Sequence, residues 1–268
     1  MDEPILYLGD RGFLKRYASP YSAQQVEEIA RRVLATSGLG LASGDRPTAL
    51  AVSNALAGGP RARHIYHSRF LMRVTEQATG QVVSVRQVQA NPTYYYTAPG
   101  YTFAADAQQI AEDLDIIRRF EPGLVTLGGD WLDILLGQQQ YGLIEAILGQ
   151  MEATIAVESR ILLGFHPSAG FLQVLRERSF AGTAVPVNLL NMQCASYADY
   201  LRQIKARSRL YAVHCLAGGD IPLGPALDYA FHHRQVDACI VGATRRQHIE
   251  ALGASEACFR SLRSRPCC

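Results

Sequence analysis

The chain has almost no excess charge of either sign: 26 Lys and Arg stand against 24 Asp and Glu in 268 residues, a formal balance of +2. So small an excess gives no drive toward nucleic acid or an anionic membrane, and neither is expected as a partner. No apolar run approaches the roughly eighteen residues that a spanning helix needs. The opening Met-Asp-Glu-Pro lacks the basic flank and apolar stretch of a secretory signal, so a cytoplasmic location is expected.

Short metal signatures are missing too. There is no His-Glu-x-x-His, so no metal is expected, and no correctly placed Gly-x-Gly-x-x-Gly, the fingerprint of a Rossmann dinucleotide site. Cysteines are few and irregular: Cys194, Cys215, Cys239, Cys258, Cys267 and Cys268. A chain of this length can build a core without disulfide staples, so reduced thiols are expected, with the final pair in an untethered tail at about 261–268.

What is present is apolar material, 48% of the residues, enough for a substantial core. Residues 22–35 repeat Val26, Ile29, Ala30, Val33 and Leu34 at helical spacing with Ser22 as a cap, and a short buried strand is expected at Gly38 to Leu41. A second helix fits Thr48 to Leu56. His64 to Val74 reads as a strand and its exit, and Gln81 to Val88 alternates like a half-exposed strand. The loop NPTYYYTAPGY, from Asn91 to Tyr101, carries rigid aromatic side chains that line a pocket or clamp a barrel end. Residues 105–120 and the segment LIEAILGQM have helical patterns. Strands are expected at Gly123 to Leu127, Ile161 to Gly164, Thr183 to Leu189, Leu210 to Val213 and Ala238 to Val241. This alternation, with short apolar runs rather than strict period two, favours an eight-stranded parallel (β/α)8 TIM barrel spanning residues 1–268 as one domain.

Three stretches resemble the aldo/keto reductase superfamily: VEEIARRVLATSGLGLASGD with NALAGGPRA after it, the unit from Ala105 to Gln150, and ALDYAFHHRQVDACIVGATRRQHIEAL. The resemblance implies an aldo/keto reductase-like barrel that binds NADP(H) without a Rossmann fingerprint. It would bring Gly242 to Arg246 toward the adenosine phosphate, with Arg245 and Arg246 as donors and Gln247 and Glu250 opening the next helix. Gly218 and Gly219 would lie beside the cofactor, and Asn188 or Asn191 would face the nicotinamide carboxamide. Solvated arginines, a plain glycine turn and a structural asparagine are the competing readings.

The family's proton donor is a tyrosine assisted by lysine and aspartate, with a histidine at the carbonyl oxygen. Here the aspartate position falls near Ser43 or Asp45, and the tyrosine position falls in Arg46 to Ala49, which contain no tyrosine. The lysine position falls in HSRF, at Arg69 or, with a shift, at His67 or Ser68. The histidine position falls at Gly128 to Asp130. An altered site is therefore expected from Asp45, His67, Arg69, Asp130 and His166, with His214 nearby, all near C-terminal strand ends. His67 or His166 would move protons and Arg69 would bind a carboxylate or phosphate. The adjacent His232 and His233 are expected to diverge on a helix.

Three functions stay open: an NADP(H)-linked oxidoreductase acting on a small carbonyl or alcohol, with a proton donor such as Tyr94, Tyr95 or Tyr96; a non-redox lyase, isomerase or cyclase; and a non-catalytic binding protein with a protein partner.

Overall fold

The structure, a computed structural model, describes residues 4–9, 21–36, 38–56, 59–85, 88, 100–190, 195–243 and 246–263. The barrel strands are β1 (Leu6–Gly9), β2 (Gly40–Ser43), β3 (His64–Ser68), β7 (Leu124–Gly128), β8 (Arg160–Leu163), β9 (Gly182–Pro186), β10 (Arg209–Val213) and β11 (Ala238–Gly242). They close in that order as an eight-stranded ring, every neighbouring pair parallel. Helices α1 (Ala23–Thr36), α2 (Arg46–Leu56), α3 (Ala107–Phe120), α4 (Asp130–Gly137), α5 (Tyr141–Glu152), α6 (Ala169–Glu177), α7 (Ala195–Lys205), α8 (Leu223–Asp228) and α9 (Arg246–Arg263) surround it. This is the expected (β/α)8 barrel. Most of the expected barrel-strand ends move by one to three residues.

The segment His64 to Val74 differs from expectation. It forms two strands, β3 in the barrel and β4 (Met72–Glu76) outside it. β3 is buried at every position, as a strand covered on both faces must be, whereas β4 exposes Arg73 between buried Met72 and Val74. β4 pairs antiparallel with β5 (Val82–Val83) and β6 (Tyr101–Ala105) in a small sheet inserted between β3 and β7. Among the described residues of the expected strand at Gln81 to Val88, Val82 and Val83 alone are strand. The tyrosine loop from 91 to 99 lies outside the described residues.

Helix starts follow their capping chemistry. Ser22 accepts from the Gln25 N–H while the Gln25 side chain accepts from the Ser22 N–H, and Asp106 and Ser168 accept from the Gln109 and Phe171 N–H groups. α9 continues to Arg263, into the range of the expected tail, and residues 264–268 lie outside the described residues. Its buried Glu256 accepts from the Ile5 N–H at 3.4 Å and ties the last helix to the first strand. A wider turn at Tyr229 to His233, closed by Arg234 N–H to the Tyr229 carbonyl, corrects the histidine expectation. Its extra residue per turn swings His232 and His233 onto opposite oxygens of Asp228, at 2.6 and 3.8 Å.

Side chains fill the barrel interior: Tyr7, Ala42, Ile65, Leu124, Ile161, Leu163, Ala184, Tyr211, Val213, Ala238 and Ile240 form one buried cluster. Glycine makes room for the two tyrosines, since a β-carbon at Gly40 or Gly182 would sit 2.2 or 2.5 Å from the Tyr7 or Tyr211 ring. At the N-terminal end, arginines fasten backbone to backbone. Arg63 donates to the Leu34 and Leu39 carbonyls, Arg160 to those of Glu152 and Ile155, and Arg178 pairs with Glu145 and Glu152. The C-terminal end is left to loops and helix starts, the usual place for chemistry in this architecture.

Candidate active site

β3 sorts its side chains by alternation. Tyr66 and Ser68 face outward and donate to Asp113 on α3, which also accepts from the Gln109 amide. Ile65 belongs to the interior cluster, so His67 faces inward. The His67 ring is held from one side by Nδ1 against Thr126 Oγ1, 2.7 Å away on the paired position of β7. Nε2 is buried and has no hydrogen-bond partner among the described residues. Burial, aided by the charges of Arg69 and His64, pushes the imidazole well below its ordinary pKa and keeps it neutral at pH 7. Arg69, half-buried just beyond the strand, thus places a cation within electrostatic reach of a neutral ring with one unused nitrogen.

β7 ends in Gly128, and Gly129 follows as the cap of α4, with φ of 118° and 83°. A β-carbon at Gly128 would lie 2.2 Å from the Leu163 carbonyl oxygen, so a histidine does not fit at Gly128. The turn starts α4 with half-buried Asp130 and places Asp133 one turn later, buried. Asp133 Oδ2 accepts from the Phe165 N–H at 2.8 Å and faces His166 Nδ1 at 3.4 Å. Burial pushes the Asp133 carboxyl up, while the hydrogen bonds from His166 and Phe165 act against it. The carboxylate in turn raises His166, whose side chain is 52% exposed.

The rim from β9 to β11 is built differently. The Asn188 amide donates to the His214 carbonyl at 3.2 Å, and its oxygen accepts from the Leu190 N–H at 3.0 Å. His214 is exposed and stacks flat on Phe165 with ring centres 4.9 Å apart. Gly218 and Gly219 follow in left-handed conformations, with open space where β-carbons would stand. Gly242 ends β11 and Gln247 sits in the first turn of α9, both exposed. Arg245 and Asn191 lie outside the described residues, as does the Arg246 side chain.

Of the sequence candidates, His67 with Arg69 and His166 with Asp130 share local electrostatic environments. Asp45 instead caps α2, accepting from Thr48 N–H at 2.9 Å and from Thr48 Oγ1 at 2.7 Å. It borders a cleft against Tyr66, Phe70, Gln109 and Glu112, on the outer side of the β3 wall. Ser43 is hydrogen-bonded to His64 Nε2 at 2.7 Å. Sequence reasoning missed Thr126, Asp113 and Asp133. Asp133 had a signal, an acid at i+3 from Asp130 inside the apolar run WLDILL. Among the described residues, no group of three or more His, Cys, Asp and Glu is placed to hold a metal ion, and no helix is long and apolar enough to cross a membrane.

No family model and no curated protein matches the chain. Among solved structures, it is similar to two of a provisionally assigned aldo-keto reductase from Pseudomonas aeruginosa, each at 20% identity and TM-score 0.55, covering 94% of this chain and 89% of that one. A provisionally assigned orotidine-monophosphate decarboxylase from Toxoplasma gondii aligns at 12% identity and TM-score 0.46, over 97% of this chain and 90% of that one. At 20% identity the likeness to the two Pseudomonas aeruginosa structures is one of fold.

Proposed function

We propose that the barrel mouth is an active site for a small carbonyl compound, with His67 Nε2 as the donor to the carbonyl oxygen and Arg69 as the cation beside it. The observation that carries this is the buried, unpartnered His67 Nε2 among the described residues, on a ring whose other nitrogen is fixed by Thr126. A neutral imidazole that accepts from Thr126 carries its proton on Nε2 and can polarise a carbonyl, and a nearby guanidinium favours the negative charge that develops on oxygen.

NADP(H) is the cofactor that the aldo/keto reductase likeness suggests, and when bound it would supply or accept a hydride. The fit is divided. Gly218, Gly219 and Gly242 leave backbone uncovered along the rim, where Arg245, Arg246 and Gln247 would hold phosphates. Asn188, however, already uses its amide to join two loops and does not fit the carboxamide role.

A non-redox lyase, isomerase or cyclase is the second reading, and the first turn of α2 favours it. Arg46 pairs with Asp115, Thr48 serves the cap and Ala49 is buried, so none of them replaces a tyrosine as proton donor. Calorimetric titration with NADPH and NADP separates the two, with Arg245→Ala plus Arg246→Ala as control. Micromolar binding lost in the double variant supports the redox form, with turnover sought on a panel of small aldehydes and ketones. No binding at millimolar cofactor leaves the non-redox form. Under either, His67→Ala should lower turnover of the responding carbonyl compound by about 10²–10³-fold, the usual size of a lost oxyanion donor. Unchanged turnover in that variant would remove His67 from the chemistry.

A further inference from the structure

The carbonyl site needs a proton carrier, and the expected tyrosine position does not provide one. On the C-terminal side of β8 a second group has the required construction: an imidazole with one nitrogen toward a buried carboxylate and its side chain half exposed. Asp133 is 4% exposed in its side chain, and the Phe165 N–H fixes the same oxygen that faces His166. Phe165 is fixed in turn by its stack with His214, and both neighbours of the ring are therefore held. A base oriented by a third, buried group is the arrangement by which an imidazole is made ready for proton transfer.

We infer that His166 and Asp133 are a proton-transfer pair at the barrel rim, in which His166 takes and returns the proton next to the bound carbonyl and Asp133 positions its ring. The pair rests on the carbonyl site proposed above. In the forward step an α-carbon–hydrogen bond breaks and the proton passes to the His166 imidazole. The bonding pair forms a carbon–carbon double bond as the carbonyl π pair moves onto the oxygen at His67 and Arg69. Return of a proton from the imidazolium restores the carbonyl compound, so neither oxidant nor reductant is consumed. Asp133 and Asp130, both on α4, act electrostatically on His166, and His214 stacks on the ring of its chain neighbour Phe165. Both carboxylates favour the imidazolium, so His166 titrates above its ordinary value.

Two measurements test the pair separately from the carbonyl site. Imidazole NMR titration of the full chain, with His166→Gln identifying the resonance, should show His166 titrating above an ordinary histidine and moving down in Asp133→Asn. An unmoved His166 overturns Asp133 as the positioning residue. Exchange of the carbon-bound protons of dihydroxyacetone with D2O, followed by proton NMR, reads the chemistry. The wild-type chain should accelerate it, and His166→Gln should lose about 10²–10⁴ of that acceleration while retaining the wild-type circular dichroism. In Asp133→Asn the limb of the pH–rate profile that reports His166 should move down with its titration. Exchange that survives in His166→Gln but is lost in His67→Ala overturns the pair and keeps the carbonyl site. Exchange absent from the wild-type chain overturns the proton-transfer role, and a shifted titration then leaves only an oriented ion pair.

Discussion

A buried imidazole on β3, His64, shows how pH reaches the folded state. His64 is pushed down to about 4 by burial, while an unfolded chain would protonate it near the ordinary 6.5. Between those values the unfolded chain binds more protons, so stability falls as pH drops from about 6.5 toward 4, by on the order of 3 kcal/mol for this group. His67 shifts in the same direction and adds to the loss. The buried Asp113 and Asp133 shift upward and oppose it in part, because they bind protons more readily in the folded chain. Urea unfolding at pH 7, 6 and 5 should therefore give decreasing stabilities, with a shallower fall in His64→Gln. An equal fall in that variant would assign the acid sensitivity elsewhere. At this scale the sequence was legible in type but not in partner. His67 and His166 could be picked out as candidates by residue type, whereas Thr126, 59 residues from His67, and Asp133, 33 residues from His166, meet them only after the barrel closes.

Helix starts and strand ends carry the next level of prediction. Asp45 earned attention as a catalytic candidate, yet its carboxylate satisfies the Thr48 N–H at the start of α2. Asp45→Ala should cost about 1 kcal/mol, the usual value of an N-cap, and lower the melting temperature by about 2–4 °C. A melting temperature within 0.5 °C of wild type, about the error of the scan, would deny the cap this weight. Gly128→Ala should be harsher, on the order of 2–4 kcal/mol, because the new methyl meets the Leu163 carbonyl in a left-handed backbone. Chemical denaturation that finds less than about 1 kcal/mol would mean that β7 and β8 can shift apart there. The alternation of helices and strands was readable because barrel strands are short runs dominated by apolar residues. The β4–β6 sheet was not, since a two-residue strand such as β5 has too little length to establish a period.

For the whole molecule, ring closure makes β1 and β11 depend on each other, and α9 secures the seam by placing Glu256 on the Ile5 N–H. The sequence supplied the architecture through its rhythm but gave no sign of how that seam is fastened, since 251 residues separate the two partners. Loss of the seam should open the ring as a unit. Glu256→Ala should thus lower the midpoint of one cooperative transition rather than create a second, as judged by circular dichroism in guanidinium. Two separated transitions would mean that the last repeat unfolds alone. The chain's one tryptophan, Trp131, lies fully buried in the first turn of α4, between Asp130 and Asp133. Its emission therefore samples the surroundings of that turn alone, with no second indole to dilute the signal, so the protein carries an intrinsic optical gauge beside its own candidate site.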